Sequence, residues 1–490
     1  MRFFNSLTKS VDTFEPIEPG KIVMYVCGLT PYDAAHIGHA RAFVSFDVVK
    51  RHLIKKGFQI THIQNITDVE DKIIKRCKET GADPKFLTES NHRDALELFD
   101  RLNIMRATVY PKVTENIPAI IKMVETLLAK GVAYETETGI YYSVSKFENY
   151  GALSGQKLDE IKSGARVEVD DSKKSPMDFA LWKKTNGDLL EFDSPWGRGR
   201  PGWHIECSAM AQKYGATTLD LHCGARDLIF PHHENEIAQS EAANNAQFSR
   251  FWLHAGFLTV EGEKMSKSLG NFVTLSQALQ KFSPNSIRLF FMLTHYRSPV
   301  DYNEDTITAT EESIQRIFNS LGLIRESAGA KSHAIHKSSH TDLDFRKKSD
   351  ELIVSFYKNL DSDLSTPEAI ASLFSLLRLS NSHLASKTPD TVALAKVATE
   401  IESMLWILGI KEETPVDLQG KEEALASLLR ELGEKSIPDS ALASLDRIIE
   451  LRQLARKKKD FASSDLIRKR LGEAGIVLED KIEGVRWKIV

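Results

Sequence analysis

The stretch FPHHENEIAQSEAA, Phe230 to Ala243, sets two adjacent histidines before carboxylates at Glu234, Glu236 and Glu241. Imidazole and carboxylate at this density are the donors of a metal site, and equally the polar start of a solvated helix. Pro231 predicts a helix beginning there. His232 and Glu236 then stand i, i+4 on one face. His233 is i, i+3 to the same glutamate, and His222 and Cys223 are close in sequence, so spacing alone leaves the donor set open. The four cysteines, Cys27, Cys77, Cys207 and Cys223, are too sparse and scattered for a disulfide framework. Scattered cysteines near histidines instead raise a metal or catalytic reading.

Two further stretches suit phosphate chemistry. HIGH, His36 to His39, lies between an apolar run and a helical pattern, where α/β sheets bind ligands at the carboxyl ends of strands. Histidines there can donate to phosphate, helped by the helix dipole, and Gly38 lets a ligand approach the backbone. KMSKS, Lys264 to Ser268, is bracketed by Gly262 and Gly270, a spacing that predicts a loop; its lysines suit neutralisation of a developing pyrophosphate. Taken singly, each stretch reads as well as a helix cap or a solvated basic loop. No Walker-type loop occurs, and GRGRPG, Gly197 to Gly202, follows EFDSPW instead of the clear buried strand that a dinucleotide fingerprint needs, so it reads as an ordinary charged turn.

These residues need a scaffold. KIVMYVCG (Lys21–Gly28) predicts a buried strand, His39–Gly57 a helix closed by Lys55-Lys56-Gly57, and Phe58–Asp68 a second strand. Strand, helix, strand implies a parallel crossover. Residues 113–200 break that rhythm with a turn-rich stretch that reads as an insertion. From about 313 the pattern is helical: Ser365-Thr366-Pro367-Glu368 starts a helix, and Ile370, Leu373, Phe374 and Leu377 form its apolar stripe. Ser327–Asp342 reads as a loop, and Lys411–Glu423 as a linker to a last module. With 490 residues, about three or four domains are expected. No run of 18 or more apolar residues implies a transmembrane helix, and the polar start lacks a signal core. The net charge of −4 argues against a polyanion-binding surface overall. Basic runs remain near the C-terminus, at Arg452–Lys459 and Arg468–Arg470.

The chain resembles the class I aminoacyl-tRNA synthetases, and within them the cysteinyl-tRNA synthetases. The resemblance runs nearly end to end through MYVCGLTPYDAAHIGHAR, NITDVEDKII, GARVEVDDSKKSPMDFALWK, PGWHIECSAM, FPHHENEIAQS, GEKMSKSLGN, HYRSPVDY and LARKKKDFASSDLIRKRLGEAGIVLEDKIEGVRW. It implies an α/β fold: a Rossmann-like parallel-sheet catalytic domain with an insertion, then an α-helical bundle and a small anticodon-binding module. The corresponding spans are 1–112 and 201–258 for the two catalytic halves, 113–200 for the insertion and 259–312 for the KMSKS and stem-contact region. Residues 313–412 are the expected bundle, and 413–490 the anticodon module.

The resemblance further implies one zinc ion held by Cys27, Cys207, His232 and Glu236, with the cysteine substrate's thiolate as a further ligand. His36, Gly38, His39, Asp227 and Lys267 match ATP contacts, with Lys264 beside Lys267 at the reaction centre; Thr67 and Trp203 match the cysteine pocket. Arg456, Phe461, Asp465 and Asp480 match anticodon readers, with Phe461 where tryptophan is common. Pro31, Cys223 and Ala255 depart from the family pattern: a usual valine, a glycine and an asparagine are replaced. The implied activity is ATP-dependent ligation of L-cysteine to tRNA(Cys) through cysteinyl-adenylate, with Mg2+ accompanying ATP. The protein is expected as a cytoplasmic monomer with no membrane contact. The rivals are a zinc-dependent ligase joining cysteine to a small amine, a non-catalytic tRNA-binding paralogue, and a metallohydrolase.

Overall fold

In the computed structural model the apolar run KIVMYVCGL forms β1 (Lys21–Leu29), the strand that organises a parallel sheet. The described residues are 1–156, 172–265, 271–329, 340–412, 418, 420–434, 436–438, 440–458, 460–481 and 484–489. They part into two compact units, Met1–Lys411 and Glu412–Val490.

In the first unit, β1 is joined by β2 (Gln59–Ile66), β3 (Leu219–Ala225) and β4 (Ser249–Ala255), in the order β4-β3-β1-β2, with every pairing parallel. Extended residues at Val109 and Lys112 bridge the outer edge of β2. Such strands are covered on both faces, which is why they read as nearly continuous apolar runs. The order reverses between β1 and β3, and a crevice outside the carboxyl ends of strands at such a reversal is where open α/β sheets take ligands. Helix α1 (Ile37–Lys55) starts two residues earlier than the spacing predicts, because His36 caps it.

The insertion carries the helix Ile117–Ala129 and an antiparallel sheet of Ala133–Glu135, Gly139–Tyr142, Phe179–Lys184 and Gly199–Pro201. Its last strand contains the centre of GRGRPG, so that stretch is sheet rather than a charged turn or a phosphate loop. A boundary at residue 200 falls inside this strand. The catalytic half then resumes with helix α2 (Trp203–Tyr214), and α3 (Glu234–Asn244) follows β3.

Four long helices follow: Glu304–Gly329, His340–Asp361, Thr366–Leu384 and Thr391–Leu408. The predicted stripe is buried at Ile370, Leu373 and Leu377, with Phe374 partly covered. The expected loop Ser327–Asp342 is helical at both ends; its centre, 330–339, lies outside the described residues. Among the described residues, no helix is long and apolar enough to cross a membrane.

A buried ion cluster fastens this bundle to the sheet. Asp47 on α1 accepts from Arg51 at 2.8 Å and from Arg288 at 2.6 Å, and also from the Met105 amide. Arg288 donates to the Leu408 and Leu102 carbonyls, and Arg51 to that of Trp406. One carboxylate thus neutralises two guanidinium groups whose remaining protons are spent on carbonyls of two helix ends. Outside that cluster, Asp363 accepts from the Phe4 amide, Tyr296 and Arg297, tying HYRSPVDY to the loop before Thr366–Leu384.

The second unit packs the helices Glu422–Glu431, Ala441–Lys457 and Phe461–Glu473 with the hairpin Ile476–Lys481/Gly484–Ile489 around Leu425, Leu429, Leu445, Ile448, Ile467 and Leu471.

Replacing Asp47 by alanine leaves two buried cations unpaired, and a loss of about 3–5 kcal/mol is expected. Urea unfolding of the full chain measures it; an unmoved first transition would contradict the role assigned to this cluster.

Candidate active site

Cys27 lies two residues from the end of β1, beside a pinch in the sheet. Gly28 donates to the Asn65 side chain at 2.8 Å, and a Cβ on Gly28 would stand 1.7 Å from the Asn65 carbonyl oxygen. Only a residue without a side chain lets β1 and β2 close here. Thr67, buried just past β2, accepts from Asn65 Nδ2 at 3.0 Å and donates its amide to Leu29. The same carboxyl edge carries Asp227, exposed in the turn Arg226–Leu228 that follows β3.

Cys207 sits on the second turn of α2, and α3 packs against it through a short polar seam. Gln239 Nε2 donates to Ser208 Oγ at 2.7 Å, and Ser240 Oγ also lies 2.7 Å from that oxygen. Glu234 accepts from the Gly151 and Ser154 amides, so the insertion is tied to the same helix. Contrary to the proline signal, α3 begins at Glu234 rather than Pro231. Ile229–His233 form a separate turn with Phe230 extended and the Phe230–Pro231 bond cis. His232 nevertheless reaches Glu236, at 2.9 Å.

The ligand atoms of Cys27, Cys207, His232 and Glu236 all lie within 4.8 Å of one another, and all four residues are buried. A second group, Cys27, His222, His233 and Glu236, meets the same limit. Two thiols, an imidazole and a carboxylate, shut away from water and converging on a point, are the donor chemistry of zinc. Their mutual electrostatics agree. Burial pushes the Glu236 carboxyl up, but His222 and His232 outweigh it and hold it at about 2. Burial pushes His232 down, yet the Glu236 charge and Cys207 raise it to about 10. Of the two thiols, Cys27 is pushed up by desolvation, while the hydrogen bond with Cys27 pulls Cys207 down. Glu236 and Cys207 are thereby held toward their deprotonated forms, the forms that ligate a cation.

Two histidines that sequence reasoning passed over complete the surroundings. His204 Nδ1 lies 2.9 Å from His232 Nδ1, and His254 Nε2 lies 2.8 Å from His233 Nδ1. The signal was present, as single polar residues inside the apolar contexts GWHIE and WLHAGF. Trp203, 38% exposed, stacks on His232 with centroids 4.2 Å apart. Cys223 is buried in the main core and belongs to neither donor group, Cys77 is buried on the helix Asp71–Thr80, and Ala255 is core at the end of β4. The Pro31 carbonyl accepts from Asn91 at 3.0 Å.

HIGH occupies the start of α1. His36 Nδ1 accepts from the His39 amide and His39 Nδ1 accepts from the His36 amide, each at 3.3 Å, and the rings stack at 3.5 Å. With both Nδ1 atoms accepting, the neutral rings carry their protons on Nε2 and offer N–H donors. Burial lowers His36 to about 4, and burial with the neighbouring ring holds His39 well below the ordinary imidazole value. The described residues on either side of 266–270 return to this point. Lys264 ends the short strand Glu263–Lys264, and Lys267 lies among residues 266–270, outside those described. On either side, Met265 Sδ accepts from Val273, Ile37 donates to the Val273 carbonyl, and Leu275 to that of Ala35.

In the second unit, Arg456 and Phe461 fall at the facing ends of two consecutive helices and Asp465 one turn beyond; all three are exposed, Phe461 by 63%. Asp480 lies on the strand Ile476–Lys481. Of the basic run, Arg452 is buried, whereas Lys457 and Lys458 are exposed.

Comparison with known proteins adds the following. The family described as "tRNA synthetases class I (C) catalytic domain" matches residues 13–312, and the DALR domain matches 355–412. A cysteine–tRNA ligase of Carboxydothermus hydrogenoformans is 43% identical, with 100% of each chain covered. Another, of Syntrophobacter fumaroxidans, is 41% identical over 100% of this chain and 99% of its own. Among solved structures, a Mycobacterium tuberculosis methionyl-tRNA synthetase with methionyl-adenylate aligns at a TM-score of 0.60 and 14% identity, covering 79% of this chain and 89% of that one. At that identity the likeness is one of fold.

In the free protein the His36 and His39 rings are expected to stay neutral from pH 8 down to about 5, because their folded values lie below the ordinary imidazole value. Titration followed by the ring resonances in NMR checks this; a ring protonating near pH 6.5 would contradict the geometry.

Proposed function

This chain belongs to the class I cysteine–tRNA ligases, and from that membership we propose its chemistry in residue terms: ATP-dependent ligation of L-cysteine to tRNA(Cys) through cysteinyl-adenylate. The observation that carries the reading is the convergence of Cys27, Cys207, His232 and Glu236 at the sheet edge where the HIGH histidines open α1.

ATP phosphates lie against His36 and His39, whose Nε2–H groups donate without adding charge, and Gly38 admits the phosphate to the helix N-terminus. Lys267, with Lys264, neutralises the pyrophosphate as it leaves, and Mg2+ travels with ATP. Asp227 contacts the adenosine side. The cysteine carboxylate attacks the α-phosphorus, pyrophosphate departs, and a terminal ribose hydroxyl of the tRNA then attacks the acyl carbon of the adenylate. No side-chain nucleophile is required; orientation and fixed charge supply the rate.

Thr67 and Trp203 line the cysteine pocket. The four-donor group holds the zinc, which would supply a soft Lewis acid that prefers a thiolate to a hydroxyl. That preference answers a selection problem, since serine is no larger than cysteine and cannot be refused by size. Rejection by about 10⁴ takes roughly 5.5 kcal/mol, more than a hydrophobic contact provides. Residues 413–490 form the tRNA-reading module. Arg456 and Asp465 contact the anticodon with Asp480, and the exposed Phe461 stacks on a base. Residues 1–112 and 201–258 make the catalytic domain, 113–200 the insertion, 259–312 the KMSKS region and 313–412 the bundle. The protein acts as a cytoplasmic monomer. A ligase using a small amine acceptor has no need of a separately folded module with an exposed aromatic among basic residues.

Cysteine-dependent ATP–pyrophosphate exchange is expected, with serine at least 10³-fold weaker, and stripping zinc should abolish the preference. Cys207→Ser should lose it as well, because a hydroxyl binds zinc poorly; unchanged selectivity would refute the assignment. Removing residues 413–490 should impair tRNA charging far more than exchange, and equal losses in the two assays would reject the module's role.

A further inference from the structure

Glu236 divides its oxygens between two sides. Oε1 stands 2.9 Å from His232 Nε2, and Oε2 stands 2.9 Å from His222 Nε2. Cys27 is shared in the same way: its sulfur belongs with Cys207 in one donor group, and lies 3.2 Å from His233 Nε2 in the other. A tetrahedral zinc with donors at about 2.0–2.3 Å separates them by about 3.3–3.8 Å. Near that span, Cys27 Sγ lies 3.2 Å from His233 Nε2 and 3.8 Å from Glu236 Oε1, and His222 Nε2 lies 2.9 Å from Glu236 Oε2; all four ligand atoms lie within 4.8 Å of one another.

The two histidines of this second group are held differently. His233 Nδ1 lies 2.8 Å from His254 Nε2, and His254 Nδ1 lies 2.7 Å from Ser6 Oγ. With the N–H of each ring directed outward along this chain and the Ser6 hydroxyl accepting, the bare Nε2 of His233 faces Cys27, the arrangement metal-ligating histidines adopt. His222 is stacked on Trp252 with centroids 4.3 Å apart and planes 17° from parallel. Its Nδ1 is buried without a hydrogen-bond partner among the described residues, so its polar engagement is all inward, toward Glu236.

We propose that Cys27, His222, His233 and Glu236 form a second metal position that overlaps the first and captures a divalent cation when the Cys207–His232 side is broken. The proposal rests on the reading of Cys27, Cys207, His232 and Glu236 as the zinc site. Both positions need Cys27 and Glu236, and two dications on shared donors repel strongly, so the positions are alternatives and the chain binds one ion at a time. Modification or loss of Cys207 therefore shifts the ion toward His222 and His233 instead of releasing it. The shifted ion has one sulfur ligand in place of two.

Titration of the metal-free full chain with Co2+, followed by visible and near-ultraviolet absorption, tests this. The wild type should bind one ion with the charge-transfer intensity of two sulfur ligands. The Cys207→Ala/His232→Ala double variant should still bind one, with tetrahedral bands and the intensity of one sulfur. Adding His233→Ala should weaken that binding at least 100-fold. A folded double variant that binds no Co2+, or a triple variant that binds as well as the double, overturns the proposal. Should the alanine pair fail to fold, Cys207→Ser/His232→Asn replaces it, with the same outcomes read. A wild type that binds no ion would sink the zinc reading itself, a result distinct from failure of the second position alone.

Discussion

A carboxylate sealed from water dictates the architecture of this active site. Glu236 has no solvent contact, and its charge is held by two imidazoles at 2.9 Å. An ion in such a place is tolerated only when its oxygens are engaged by partners of the right sign and geometry. That requirement reaches outward. His222 must be presented by β3, His232 by the turn before α3, and both must be braced by aromatic faces, Trp252 behind one and Trp203 over the other. The sheet order and the packing of α2 on α3 follow as conditions for this one charge.

The same low-dielectric edge treats the HIGH histidines in the opposite way. Burial without a carboxylate nearby keeps both rings neutral, and their capping bonds choose the tautomer. Imidazole thus meets two electrical settings: His232 is raised beside Glu236, and the HIGH rings are lowered at the start of α1. The difference is set by whether a carboxylate shares the pocket.

The Asp47 cluster works at a larger scale. Its two arginines send donors to carbonyls at Leu102, Trp406 and Leu408, so that the helical bundle closes against the first crossover helix. Residues separated by more than 350 positions are thereby locked beside α1, whose N-terminus carries the HIGH histidines.

Local chemistry was readable from the chain order: the strand carrying Cys27, the helix closed at Lys55-Lys56-Gly57 and the stripe of Thr366–Leu384 each depend on neighbours a few residues apart. The misreadings were of another sort. The start of α3 was placed at Pro231 because proline favours a first turn, whereas the chain spends Ile229–His233 on a separate turn that still delivers His232 to Glu236. GRGRPG looked like a turn because its strand partner, Phe179–Lys184, is distant in sequence. The sequence by itself determined the supply of donors and the reaction class they suit. Only the tertiary structure decided that His222 and His232 would meet the two oxygens of one glutamate, and that His204 and His254 would stand behind His232 and His233. Those choices are made by the packing of strands and helices far apart along the chain, and desolvation acts only once that packing exists.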